Sequence, residues 1–177
     1  MKRLAFSIFT VGLLTLLLLP VGKSHAIQIL YEATDLPDAG SGDLWAYSYT
    51  VSDYTFDMDY GFTIYFDYNE YGAIDPAPPS PNSDWDILTW DPDSGLPDDG
   101  AYDAMAWVDA PSLADAFVVS FVWLGTSTPG SQYFEVYDPG FSTVVSGETA
   151  PVPEPATLLL VGSGLLGLAG LRKRAKK

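Results

Sequence analysis

Between Ile27 and Leu171 the chain contains no lysine, arginine or histidine, and this absence constrains its fold more than any motif. Of the 23 acidic residues only Glu154 lies outside residues 27–152, so 22 carboxylates occupy a stretch with no basic side chain. Such a body cannot form a salt bridge through Lys or Arg, and it must tolerate self-repulsion, be screened by salt or bind cations. It is a poor partner for nucleic acid and for anionic membrane surfaces. With no cysteine there are no disulfides, so a packed core has to hold the fold. All five Trp and all eleven Tyr fall in this body, an aromatic content that argues against disorder.

The apolar residues repeat every two positions rather than every 3.6. Trp45, Tyr47, Tyr49 and Val51 alternate with Ala46, Ser48 and Thr50, and Phe62, Ile64, Phe66 and Tyr68 alternate with Thr63, Tyr65 and Asp67. Both runs read as half-buried strands. Residues 116–124 form a near-continuous apolar strand with Phe117, Val119, Phe121 and Trp123 on one face. A turn cluster at 125–130, a strand at 132–137, a type II turn at Asp138-Pro139-Gly140 and a returning strand at 141–146 complete a predicted three-stranded antiparallel meander. Further strands are expected at 27–33, 54–60, 87–90 and 104–108. The fold class expected is all-β, an antiparallel β-sandwich of jelly-roll-like type over residues 27–146. Trp45, Trp107, Trp123 and the strand Phe residues are expected to fill its core.

The two ends differ in kind from the body. Lys2 and Arg3, the apolar run Leu4 to Val21 and the small-residue site Ser24-His25-Ala26 have the three parts of a secretory signal peptide, residues 1–26, to be removed by signal peptidase. At the other end, residues 147–152 read as a Gly/Thr/Pro linker. Pro153-Glu154-Pro155 follows, then the apolar run 156–171 and the basic tail 172–177. As a helix the run would span about 24 Å at ~1.5 Å per residue, short of the ~30 Å hydrocarbon core. Gly162, Gly164, Gly167 and Gly170 weaken it further. It reads as a single transmembrane helix suited to transient anchoring, with its basic tail on the cytoplasmic side.

A Pro-Glu-Pro motif, a short glycine-punctuated span and an arginine-rich end, in that order, resemble the PEP-CTERM sorting signal of Gram-negative bacteria, here over residues 153–177. Pro153, Glu154 and Pro155 match its motif. The resemblance implies export through the inner membrane, transient anchoring through 156–171, cleavage near the motif by an exosortase, and delivery to the cell surface or extracellular space. It also implies association with exopolysaccharide or biofilm, and it leaves the passenger open, because members carry unrelated bodies.

The side-chain inventory of the body excludes Ser-His-Asp, Cys-His and Schiff-base catalysis, together with Cys/His zinc sites. The expectation is therefore a non-enzymatic surface or matrix protein. Carboxylates remain, and they suggest two alternatives. Asp91-Pro92-Asp93-Ser94-Gly95 partly resembles a calcium loop, and Asp98 and Asp99 lie across the following turn, so these four aspartates are candidate calcium ligands. Trp85 and Trp90 beside them are candidate sugar-stacking residues, which makes a calcium-assisted polysaccharide-binding module one alternative. A carboxylate-based glycoside hydrolase is the more remote one.

Overall fold

The computed structural model describes residues 27–38 and 42–153. The expected signal peptide 1–26 lies outside the described residues, as do Glu154, Pro155, the span 156–171 and the tail. Among the described residues no helix is long and apolar enough to cross a membrane.

Among the described residues ten strands form two sheets of five: β1 (Gln28–Asp35), β2 (Asp43–Ser52), β3 (Gly61–Phe66), β4 (Tyr71–Ile74), β5 (Trp85–Trp90), β6 (Gly100–Ala106), β7 (Phe117–Trp123), β8 (Tyr133–Tyr137), β9 (Thr143–Glu148) and β10 (Ala150–Pro151). The first sheet runs β10-β1-β2-β7-β4 and the second β5-β6-β3-β8-β9. Every pairing is antiparallel except β1 with β10. The chain changes sheet after β2, β3, β4, β6, β7 and β9, so each sheet is woven from distant segments.

The period-two reading fixes which face points inward. Tyr47, Tyr49 and Val51 of β2, Phe62, Ile64 and Phe66 of β3, and Phe117, Val119, Phe121 and Trp123 of β7 are all buried. Their rings join the sheets directly: Phe62 meets Phe117 at 5.1 Å, Trp85 meets Phe117 at 5.0 Å, and Phe66 meets Tyr71 at 5.0 Å and Phe121 at 5.7 Å. Edge-to-face pairs of this kind contribute about 0.5–1.5 kcal/mol beyond the area they bury. They make the two sheets one sandwich with a single aromatic core.

Several expectations are corrected. The meander does not form. β7 already has β2 on one side and β4 on the other, so β8 has no free edge to join there. Residues 124–132 instead cross to the opposite sheet, held by Trp123 Nε1–H donating to Ser127 O and Tyr47 Oη–H donating to Gly130 O. β8 and β9 do form a hairpin. Its left-handed residue is Phe141 (φ 58°) rather than Gly140, so the turn over Asp138–Phe141 is not type II.

Residues 54–60 are not a strand. Asp59 turns left-handed (φ 66°), and Phe56 tucks into the core against Tyr54, Phe62 and Trp85. Trp107 is half-exposed rather than a core residue. Residues 147–152 are not a linker either. Gly147 and Glu148 finish β9, and Thr149 is buried and bonded in both directions to the Gln132 backbone. β10 then adds to the edge of the first sheet, with Val152 N–H donating to Tyr31 O at 2.9 Å.

Candidate functional site

The outward face of the second sheet carries a groove of about 500 Å³. Strand register explains its lining. Leu88 of β5, Asp103 of β6, Thr63 of β3 and Glu135 of β8 lie on one line across four strands, and Asp86, Met105, Gly61, Tyr137 and Thr143 lie on the next. All are the partners, by alternation, of residues that point into the core.

Two carboxylates are built into the floor. Asp103 accepts hydrogen bonds from Thr63 Oγ1 at 2.7 Å and from Tyr137 Oη at 2.9 Å. Glu135 accepts from Tyr133 Oη at 2.8 Å and from Tyr65 Oη at 3.1 Å, and the two tyrosine rings stack at 5.7 Å. Gly61 makes the Asp103 arrangement possible. A Cβ there would lie 2.3 Å from Tyr137 Oη, so only a residue without a side chain lets that ring cross the strand to reach Asp103.

Burial pushes the Asp103 carboxyl above the ordinary carboxylate range. The Thr63 and Tyr137 hydroxyls oppose that shift, and the nearby Asp86 charge adds to it. The Tyr137 phenol is raised by burial and then by Asp103, and Tyr65 is pushed up to about 12 by burial and by Glu135. These phenols stay protonated and donate to the carboxylates. A carboxylate has about four acceptor positions, and two remain open on each of Asp103 and Glu135 after these contacts.

Large apolar side chains stand at the rims. Trp90 and Leu88 are about half-exposed on β5, while Phe141 is 80% exposed and stacks on Tyr137 at 5.6 Å. An aromatic residue held left-handed at a hairpin tip, almost wholly in solvent, contributes little to the core. It does extend an aromatic surface from Tyr137 to the edge of the groove.

The residues singled out from sequence fall differently. Trp90 lines the groove. Trp85 does not, because it is 3% exposed, packs against Phe56, Phe62 and Phe117, and donates Nε1–H to Ser112 O at 2.9 Å. It is a core residue with no face to offer a ligand.

Asp91, Asp93, Asp98 and Asp99 all sit between β5 and β6, and three are committed to separate backbone groups. Asp91 accepts Ile74 N–H, Asp93 accepts Gly95 N–H, and Asp99 accepts Tyr68 N–H, while Asp93 and Asp98 exchange backbone bonds across the loop. Among the described residues no three carboxylates converge on a metal position. Sequence reasoning missed Thr63, Tyr65, Asp86, Asp103, Glu135, Tyr137 and Phe141. The available signal was the polar half of the same alternation that revealed the core.

Comparison with curated proteins finds no match to the chain. Comparison with protein families matches residues 151–174 to the PEP-CTERM protein-sorting motif. That match begins within β10, includes Pro153, Glu154 and Pro155, and does not reach the groove. The motif implies targeting to an exosortase, with export and membrane-anchored transit. Residues 151–174 thus carry a PEP-CTERM protein-sorting motif, attached to a β-sandwich passenger of no assigned family.

Proposed function

We propose that this is a non-enzymatic, polysaccharide-binding protein of the cell surface or extracellular matrix, associated with exopolysaccharide. In this reading the signal peptide 1–26 starts export, the 156–171 helix holds the chain briefly in the membrane, and exosortase cleavage near Pro153-Glu154-Pro155 releases a jelly-roll-like body. The observation that carries the binding half is the pairing of Asp103 and Glu135, each already holding two hydroxyl donors, with the exposed rings of Trp90 and Phe141 in one groove. Sugars present hydroxyl donors along their edges and an apolar C–H face. Open carboxylate acceptors beside aromatic platforms suit both, and a mostly apolar groove with a few convergent polar groups is the usual form of a ligand site.

Binding is favoured over hydrolysis because both carboxylates are tied by hydroxyls that hold them as acceptors. The groove also works through direct contact, so calcium has no part in this reading. A glycan array probed with the released protein tests it: saturable binding that is lost on Trp90→Ala is expected, and recovered oligosaccharides should be intact by chromatography. Cleaved sugars would favour the glycoside hydrolase alternative, and absence of binding to any glycan would end the proposal. The sorting half is tested separately, since changing Pro153-Glu154-Pro155 to alanines should leave export intact and accumulate an uncleaved membrane-bound form. Normal release of that variant would refute it.

A further inference from the structure

The groove holds three carboxylates, Asp86, Asp103 and Glu135, in a body with no lysine or arginine to neutralise them. Asp103 and Glu135 are separated by Thr63 on the intervening strand, which sets their backbones roughly 10 Å apart at ~4.8 Å per strand. Among the described residues no three carboxylates converge on a metal position, so Asp86, Asp103 and Glu135 are not arranged around a single ion. Asp86 lies diagonally across the β5–β6 ladder from Asp103, close enough for its charge to be felt there. The negative charge is therefore spread along the groove, and its complement must come from outside the chain and be spread as well.

The rims add a second requirement. Trp90 and Phe141 offer ring faces, and such faces attract both ammonium groups and the apolar face of a pyranose. A uronic acid polymer meets repulsion at every carboxylate. A neutral glucan satisfies the rings and part of the acceptor capacity but leaves the charge unopposed.

We propose that the ligand of this groove is an amino-sugar polysaccharide bearing free amines, whose ammonium groups sit along Asp86, Asp103 and Glu135 while its rings stack on Trp90 and Phe141. The inference rests on the glycan-binding reading above and narrows it to a cationic class.

The experiment uses the full chain in a detergent without a sugar headgroup, titrated by calorimetry with four probes. These are a glucosamine oligomer, its fully N-acetylated counterpart, a glucose oligomer of equal length, and oligolysine. The glucosamine oligomer is expected to bind at least tenfold more tightly than the acetylated and glucose oligomers at neutral pH. That advantage should shrink with added salt, and again as pH rises through the amine pKa. Asp86→Asn should reduce it severalfold. Because Asp86 lies outside the hydroxyl network that secures Asp103 and Glu135, this variant should keep the wild-type circular dichroism spectrum.

Equal binding of the acetylated, neutral and amine-bearing oligomers would overturn this inference and leave the glycan-binding reading standing. No saccharide binding at all would remove both. Oligolysine binding as tightly as the glucosamine oligomer, and unaffected by Trp90→Ala, would show a general polycation surface and overturn the proposal.

Discussion

Replacing Gly61 with alanine tests the groove floor at its most exacting point. The new Cβ would lie 2.3 Å from Tyr137 Oη, 2.5 Å from Tyr137 Cζ and 2.6 Å from the Ala104 carbonyl oxygen. Ordinary carbon contacts are about 3.5–4.0 Å, so something must move. If Tyr137 swings away, a ring now 7% exposed goes to solvent, costing about 1.5–3 kcal/mol. Its hydrogen bond to the Asp103 carboxylate is lost as well, worth about 1.5–3 kcal/mol. The Ala104 oxygen is backbone and cannot swing, so the β3–β6 pair must also shift, at about 1–3 kcal/mol.

These terms overlap, and a total near 3–6 kcal/mol is expected, a large share of an ordinary domain's stability. The measurement is urea unfolding followed by tryptophan fluorescence, on residues 27–153, which contain the ten described strands and the core they enclose. Repeating it in a Tyr137→Ala background separates the two clashes. There the substitution should cost only the backbone share, leaving a coupling energy of about 2 kcal/mol or more between positions 61 and 137. A loss below ~1 kcal/mol, or the same loss in both backgrounds, would refute the idea that Gly61 exists to seat Tyr137.

Three other outcomes follow from the same geometry. Phe121→Ala should cost about 3–5 kcal/mol in the same unfolding assay, because its 1% exposed ring touches Tyr47 and Tyr71 in its own sheet and Phe66 in the other; a loss under ~1 kcal/mol would place it off the core. Burial raises the phenols of Tyr65 and Tyr71 to about 12 and lifts those of Tyr47, Tyr49, Tyr102 and Tyr137. The unfolded chain then releases these protons near pH 10 while the folded one keeps them, so this stability is complete below pH 10 and falls as the pH rises above it. Full phenolate absorbance from all eleven tyrosines should therefore appear only as structure is lost, and ionisation of all eleven with the fold intact would contradict the burial. Millimolar calcium should raise the melting temperature no further than sodium chloride at matched ionic strength, since Asp91, Asp93 and Asp99 are each engaged elsewhere; an excess of several degrees, removed by changing Asp91 and Asp93 to Asn, would show a calcium site.

Alternation told which residues of β2, β3 and β7 face inward, and it was right for Tyr47, Phe62 and Phe121. It could not tell which strands are neighbours. A period of two specifies a face, whereas pairing β2 with β7 depends on matching Tyr47 to Val119 across more than seventy residues of chain. The predicted meander failed for that reason, because sequence adjacency stood in for spatial adjacency.

The groove was hidden by a related bias. Seven aspartates between 84 and 103 attract notice because they are close in sequence. Asp103 and Glu135 meet their hydroxyl partners only through strand register, and each looks unremarkable in its own segment. Trp85 misled for a different cause: an aspartate on either side suggests solvent, yet on a strand those neighbours simply point the other way. Gly61 carries no signal until a ring is seen to lie over it.

The junction between body and sorting signal also has a mechanical side. β10 holds β1 by two register pairs, Leu30 with Ala150 and Tyr31 with Pro151, supplemented by Val152 to Tyr31. Behind it Thr149 is clamped to Gln132 by two bonds and buried. Tension drawn along the C-terminal tether while the opposite sheet grips a polymer would load these elements in series. The short strand, with two register pairs, is the weakest of them, and residues 150–153, once freed from the edge, can swing about Thr149 through a reach of roughly 13 Å at ~3.3 Å each. The clamp at Thr149 stops the peeling before it reaches β9. For as long as the chain is still anchored, β10 would thus act as a fuse at its neck, parting from the edge while the aromatic interior stays shut.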